Sequence, residues 1–142
     1  MAAIKTQTTS LAPLLSVKGG ARALEFYEAA FGAKEVFRIE DPEGLVVARL
    51  AIDGAEFWVA DDSPGDANLS GANFSPEALG GSCVRMVLTV NDPDAVFAKA
   101  IAGGATEVYA VSDQPYGWRL GRLVDPFGHH WEIGKPLCDS LK

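Results

Sequence analysis

The segment with the clearest capacity for chemistry is residues 123–133, which read Leu-Val-Asp-Pro-Phe-Gly-His-His-Trp-Glu-Ile. The Asp-Pro step and the glycine after it predict a tight turn between two strands. Beyond the turn, apolar Trp131 and Ile133 alternate with polar His130 and Glu132. Period-two alternation gives a strand one face on a core and one polar face. We therefore expect this hairpin to place a carboxylate and an imidazole opposite the core.

A carboxylate and an imidazole on one face make half of a metal site. A catalytic zinc site needs about three protein ligands, and a non-haem iron site needs a pair of histidines with a carboxylate. The chain has 2 histidines, His129 and His130, and neighbours on a strand point to opposite faces. The residues alone thus favour a site without metal. If a divalent ion is bound, Glu132 and His130 are its candidate ligands.

Hydrophobic periodicity predicts the elements that position these residues. The spacing of apolar side chains predicts a helix at residues 21–31 that ends at Gly32. Asp53-Gly54 is a strong hairpin signal. Residues 61–82 are rich in turn formers and predict a linker or functional loop, with a short helical turn at residues 75–79. Strands are predicted at residues 11–17, 34–39, 45–52 and 55–60.

The pattern of the first half then repeats. Four segments of the first half have a counterpart in the second half at offsets of 73, 72, 73 and 74 residues. In that order the pairs are 15–17 (LSV) and 88–90 (LTV), 32–36 (GAKEV) and 104–108 (GATEV), 48–50 (ARL) and 121–123 (GRL), and 57–59 (FWV) and 131–133 (WEI). This regularity predicts an α+β fold of two βαβββ units. We expect them to form a curved mixed sheet with helices on its convex face and a cleft on its concave face. The predicted organisation is an arm at 1–10, a first unit at 11–60, a linker or loop at 61–82, a second unit at 83–135 and a tail at 136–142.

Several aromatic residues are candidates for ligand contact. Alternation from Phe57 and Val59 predicts that Trp58 points into the cleft. Tyr116 and Trp118 lie in a glycine-marked loop, where exposed aromatic residues often contact ligands. The alternative for Trp118 is packing at an interface or a sheet edge. Five further aromatic side chains are predicted to form the core: Phe26, Tyr27, Phe57, Phe97 and Trp131.

Composition narrows the class of protein. The 142 residues carry a formal net charge of −7, which argues against a nucleic-acid partner and favours a cationic ligand over an anionic one. No apolar run is long enough to span a bilayer. Cys83 and Cys138 match no metal-ligand spacing. Because the N-terminal residues lack the apolar core of a signal peptide, we expect a cytoplasmic protein with reduced thiols.

Two motifs resemble the vicinal oxygen chelate superfamily, which includes glyoxalase I, bleomycin-resistance protein and extradiol dioxygenase. They are residues 23–33 (ALEFYEAAFGA) and 125–131 (DPFGHHW). With Val90-Asn91-Asp92 before the second helix, they are most similar to the PhnB-like branch. The resemblance spans about residues 11–135 and implies the paired βαβββ fold. It also implies a homodimer, since members of this family commonly dimerise.

The resemblance further implies a metal site whose ligands come from four strands, the first and the last strand of each unit. Glu132 matches one of the four ligand positions, whereas Trp58, Arg85 and Ala12 (Pro13 in a shifted register) occupy the others. Two arrangements of the Arg85 and Glu132 side chains are then possible. The two side chains face each other across the cleft as a bidentate ion pair that replaces the metal, or both lie at a wet rim and contact only solvent.

These observations give three functional hypotheses. The first is a metal-free protein, similar to the bleomycin-resistance branch, that sequesters a drug or metabolite of cationic and partly aromatic character. Its expected ligand-binding residues are Trp58, Arg85, Tyr116, Trp118, His130 and Glu132. The second is a glyoxalase-type lyase or isomerase, or a thiol transferase, dependent on zinc, nickel or manganese. The third is a dimeric interaction module whose cleft is occluded by the loop at residues 61–82. No serine or cysteine is recognisably paired with a histidine base.

Overall fold

A computed structural model describes residues 6–62 and 74–138 of the chain. Each half contributes four strands and one long helix. In chain order the elements are β1 (Leu14–Val17), α1 (Gly20–Phe31), β2 (Lys34–Glu40), β3 (Val46–Ile52), β4 (Ala55–Asp61), α2 (Pro76–Leu79), β5 (Arg85–Thr89), α3 (Pro93–Ala102), β6 (Thr106–Asp113), β7 (Trp118–Val124) and β8 (His130–Pro136).

The two halves share one topology. The first sheet has the order β1-β4-β3-β2 and the second has the order β5-β8-β7-β6. In each sheet the first and last strands of the unit are parallel and the remaining pairs are antiparallel. The predicted α+β class of two βαβββ units is confirmed. The described strands are divided between two four-stranded sheets, because β1 and β5 are both edge strands and no ladder joins them.

Local sequence signals account for the ends of the elements. Asp53 and Gly54 both have positive φ, 49° and 88°, as the turn of a two-residue hairpin requires. At the start of α3, the Asp92 side chain accepts a hydrogen bond from the amide of Ala95, and proline occupies the first turn. The helical turn predicted at residues 75–79 is present as α2, capped by the hydroxyl of Ser75.

A single core joins the two units. The ring of Tyr27 on α1 lies 5.3 Å from that of Phe57 on β4 and 5.7 Å from that of Trp131 on β8. The rings of Phe57 and Trp131 are themselves 5.7 Å apart. All five aromatic residues predicted for the core are buried. Because Phe57 and Trp131 belong to different sheets, the two sheets approach each other through their core faces.

Within residues 6–62 and 74–138, the face of each sheet opposite the core carries exposed side chains. Strand pairing places Leu14, Trp58, Arg49 and Phe37 on one such face, called here the first open face, together with Val47 and Ile39. The second open face carries Arg85, Val87, His130, Glu132, Arg122 and Tyr109. Trp58 and Glu132 therefore lie on different open faces of one chain.

Three predicted segments lie partly outside the residues that the structure describes. The structure does not describe residues 1–5 of the predicted arm, 63–73 of the predicted loop, or 139–142 of the predicted tail. Strand β8 extends to Pro136, the first residue of that tail. Among the described residues, no helix is both long enough and apolar enough to cross a membrane.

Candidate ligand site on the second open face

Each open face carries one row of side chains that runs across all four strands. On the first open face, register aligns Leu14, Trp58, Arg49 and Phe37. On the second open face it aligns Val87, Glu132, Arg122 and Tyr109. The members of the two rows are separated by 72 to 74 residues, which are the offsets of the repeat. An arginine stands at the same place in both rows, whereas a tryptophan in one row replaces a glutamate in the other.

Glu132 is held by two side chains from other strands of its sheet, one on each side of β8. Arg85 on β5 donates from Nη1 to Oε1 of Glu132 at 3.0 Å. The hydroxyl of Tyr109 on β6 donates to the same oxygen at 3.4 Å. The Glu132 side chain is 19% exposed and that of Arg85 is 51% exposed. The ion pair is thus a single contact within one sheet, with the arginine reaching solvent.

His130 is paired with the other arginine of this face. Arg122 donates to Nδ1 of His130 from Nε at 3.2 Å, and its Nη2 lies 2.9 Å from the same atom. A guanidinium can only donate, so Nδ1 accepts and the ring proton is assigned to Nε2. Burial and then the positive charge of Arg122 lower the pKa of His130. The imidazole is therefore neutral at pH 7 and offers an N–H donor to the open face.

The tyrosines of the second unit lie near this pair. Partial burial and the adjacent Glu132 carboxylate raise the pKa of Tyr109, and Tyr116 contributes in the same direction. Tyr109 therefore stays a neutral hydroxyl donor at physiological pH. Tyr116, an expected ligand-binding residue, is exposed and lies close enough to Tyr109 to influence it electrostatically.

Trp118 lies further along the same sheet. It is the first residue of β7, pairs with Pro136, and is half-buried. Alternation along β7 puts it on the face of Arg122, four residues away. Backbone hydrogen bonds order the turn before it, from the Gln114 amide to the Trp118 carbonyl at 2.6 Å and from the Gly117 amide to the Gln114 carbonyl at 3.1 Å.

Trp58 points away from the core, as alternation from Phe57 predicts, and lies on the first open face. Within one chain it does not share a cleft with Arg85 and Glu132, which lie on the second open face. Its ring contacts Phe37 at 6.0 Å between centroids, and the guanidinium carbon of Arg49 lies 5.5 Å from its centroid. Arg49 also forms a 3.8 Å ion pair with Glu56. This surface is aromatic and apolar around one ion-paired arginine, in contrast to the polar row of the second open face.

The residues present do not fit a divalent metal ion. Glu132 already accepts from Arg85 and Tyr109, and Nδ1 of His130 accepts from Arg122. Two guanidinium groups beside the two candidate ligands would repel a cation. His129, the neighbouring histidine, lies on the core side with its Nε2 2.8 Å from the carbonyl oxygen of Ser16. Within residues 6–62 and 74–138, no three His, Cys, Asp or Glu side chains come close enough to hold a metal ion.

Sequence reasoning missed two members of this cluster, Tyr109 and Arg122. The signal for Arg122 was present, because the repeat aligns it with Arg49, the neighbour of Trp58. The signal for Tyr109 was obscured by irregular pairing in β6 on both sides of that residue, which breaks simple alternation.

Comparison with known proteins identifies the family. The model of the Glyoxalase/Bleomycin resistance protein/Dioxygenase superfamily matches residues 9–133. An uncharacterized protein of Mycobacterium bovis is 43% identical over 129 residues, which cover 90% of this chain and 84% of that protein.

Solved structures agree on the fold. TioX from Micromonospora sp. ML1 superposes with a TM-score of 0.69 and 25% identity, covering 91% of this chain and 100% of TioX. The PhnB protein from Bacillus cereus superposes with a TM-score of 0.66 and 23% identity, covering 89% and 99% of the two chains. The two βαβββ units, the motifs at residues 23–33 and 125–131, and the match over residues 9–133 lead to one conclusion: this chain belongs to the Glyoxalase/Bleomycin resistance protein/Dioxygenase superfamily.

Proposed function

We propose that this chain is a small-molecule-binding protein that holds its ligand against the second open face without a resident metal ion. One observation carries the proposal: both side chains suited to metal binding, Glu132 and His130, are hydrogen-bonded to arginines. The face keeps the donors and acceptors of a binding site and lacks a place for a cation. Affinity then comes from apolar burial and a few placed polar groups.

The proposed role is sequestration of a drug or metabolite. Binding alone requires neither a nucleophile nor a metal-activated water. The second open face provides directional hydrogen bonds through Arg85 and Arg122, while the nearby Tyr116 and Trp118 offer aromatic surface at the end of the sheet.

We infer that the functional unit is a homodimer in which the first open face of one chain covers the second open face of the other. The first open face supports this inference because Leu14, Phe37, Ile39 and Val47 are exposed apolar side chains on one sheet surface. The two faces lie on the outer sides of the chain, so a twofold axis would pair each with its counterpart and form two equal clefts. Trp58 of one chain would then complete a site whose polar half belongs to the other.

Native mass spectrometry of the protein taken directly from cells tests both statements. We expect a dimer that carries an organic molecule and no stoichiometric metal. Glu132→Gln should reduce ligand retention, whereas Glu25→Gln, a matched change at an exposed position of helix α1, should leave it unchanged. A monomer, or a dimer that retains and binds no small molecule, would contradict the proposal.

A divalent-metal enzyme is the second candidate, and one observation favours it: Glu132 and His130 share a face and lie two residues apart. Titration calorimetry with zinc, nickel and manganese discriminates the two. Stoichiometric binding that is lost in Glu132→Ala would replace the first candidate with this one. The hypothesis of a cleft occluded by residues 61–82 depends largely on residues 63–73, which lie outside the description.

A further inference from the structure

The second open face carries an excess of positive charge. Its strands present two guanidinium groups, Arg85 and Arg122, and one carboxylate, Glu132. His130 is the remaining titratable group of this cluster besides Tyr109, and both are neutral at pH 7 for the reasons given above. The local balance is therefore opposite in sign to the net charge of −7 for the whole chain.

The two arginines differ in how far their charge is compensated. Arg85 forms an ion pair with Glu132. Arg122 donates to the neutral ring of His130, and no carboxylate of the described residues forms an ion pair with it. A guanidinium presents five N–H groups in a planar fork, and those of Arg122 turned away from His130 can be shared with a ligand. Arg122 also stands in the middle of the row, between Tyr109 and Glu132.

We propose that Arg122, with the Nε2–H of His130, binds an oxyanion of the ligand, a carboxylate or a tetrahedral phosphate-like group. This inference rests on the function proposed above and adds the chemical class of the ligand. An oxyanion accepts two parallel hydrogen bonds from one guanidinium, which a cation or a neutral amine cannot do. Arg85 is paired with Glu132 and offsets its charge, so the uncompensated positive charge of the site belongs to Arg122.

The acidic composition of the chain does not oppose this assignment. At physiological ionic strength, charges further apart than about 8 Å are largely screened. The groups that decide the sign at this face are those in direct contact. Composition alone favoured a cationic ligand because a sum over the whole sequence cannot reveal a local excess of arginine.

Three isosteric probes test the sign of the charge directly. Benzoate, benzamide and benzamidinium share a planar shape and carry charges of opposite sign or none. Each is titrated into the full-length protein, and binding is followed by the NMR signals of the His130 ring, with the buried His129 ring as an internal reference. Phenylphosphonate, added separately, distinguishes a tetrahedral oxyanion from a planar one. We expect benzoate or phenylphosphonate to shift the His130 signals and to bind more tightly than benzamide and benzamidinium.

Variants assign the contact. Arg122→Gln should weaken binding of the anionic probe by about tenfold, the expected loss of a charge-assisted hydrogen bond. Arg122→Lys should recover part of the affinity, since it keeps the charge but loses the fork. Arg38→Gln, an exposed arginine on β2 off both open faces, is the matched control and should bind like the unaltered protein. The unchanged His129 signals verify that each variant is folded.

The outcomes distinguish a failure of the oxyanion assignment from a failure of the proposed small-molecule binding. If benzamide or benzamidinium binds at His130 as tightly as benzoate and phenylphosphonate, the oxyanion assignment is wrong and small-molecule binding stands. Anion binding that is insensitive to Arg122→Gln would also overturn the assignment. If no probe of either charge shifts the His130 signals, the second open face is not a ligand site and both proposals fail.

Discussion

The hydroxyl of Tyr27 donates a 2.5 Å hydrogen bond to Oδ2 of Asp125, and this contact ties the first helix of one unit to the last hairpin of the other. Asp125 is 3% exposed and also accepts from the indole of Trp131 and from the amides of Phe127 and His129. A buried carboxylate is tolerated when its oxygens are so fully hydrogen-bonded. The motif at residues 125–131 thus connects the two units through buried hydrogen bonds, while His130, its second histidine, lies on the second open face.

Tyr27→Phe tests this connection. Removing the hydroxyl leaves Asp125 buried with one donor fewer, so we expect the free energy of unfolding to fall by about 1–3 kcal/mol. Urea denaturation followed by tryptophan fluorescence measures the change. Tyr116→Phe, at an exposed site, should change stability by less than about 0.5 kcal/mol. Equal effects of the two substitutions would argue against the role of the hydrogen bond.

The protonation of His130 gives a prediction about pH. Its pKa is lowered by burial and by Arg122, so the unfolded chain takes up a proton on this ring at a higher pH than the folded chain does. The resulting contribution to stability is fully present above the unfolded pKa, about 6.5, and is lost as the pH falls through the folded value. NMR titration should show an imidazole pKa below 6.5 that rises in Arg122→Gln. A His130 pKa at or above 6.5 in the unaltered protein would contradict the described contact.

The two tryptophans outside the core give a prediction about binding. Trp58→Ala and Trp118→Ala should each weaken binding of the molecule retained in native mass spectrometry and leave the circular dichroism spectrum unchanged. Trp58→Ala should also lower stability by about 0.5–1 kcal/mol through loss of its contact with Arg49. Unchanged affinity in both variants would remove the two residues from the site.

The inferred dimer gives a prediction about assembly. Ile39→Lys places a charge on the exposed apolar surface of the first open face, at edge strand β2, and this charge would have to be desolvated at the interface. We expect a monomer in light scattering at concentrations where the unaltered protein is dimeric. Glu25→Lys on α1, also exposed but outside that face, should keep the dimer. Dimerisation of Ile39→Lys at normal affinity would place the interface elsewhere.

Close packing in the second sheet gives a prediction about stability. A Cβ at Gly121 would lie 2.7 Å from the backbone nitrogen of Val111, where neither group can move away cheaply. Gly121→Ala should therefore lower the free energy of unfolding by about 1–3 kcal/mol. Gly81→Ala, where no atom lies within 4 Å of the added Cβ, should not destabilise the protein. The midpoint of thermal unfolding measures both, and a neutral Gly121→Ala would show that β6 can shift.

The repeat made most of the fold predictable. Offsets of 72 to 74 residues fixed which segments correspond, and the two units fold with the same strand order. Alternation correctly separated His129 from His130 and Phe57 from Trp58, because side-chain direction in a regular strand depends only on position. Correspondence between units carries no information on how they meet. Whether the sheets join at β1 and β5 or pack through Phe57 and Trp131 is decided by contacts between distant residues.

The site was predicted in part for the same reason. Arg85, His130 and Glu132 were singled out by residue type and strand position, and the structure brings them together on one face. The partner of His130 was not foreseen, because a hydrogen bond from Arg122 depends on side-chain direction across a strand pair. Tyr109 escaped because a bulge in β6 shifts its register.

The two halves of this protein share one fold but present different surfaces to a ligand. Arg49 and Arg122 occupy matching places, yet one lies beside an indole and the other beside an imidazole and a carboxylate. Where such halves face one another, a molecule with a flat hydrocarbon end and a charged end has a single favourable way to lie between them. The duplicated fold would then fix the orientation of the ligand, and the reversed orientation would bind poorly.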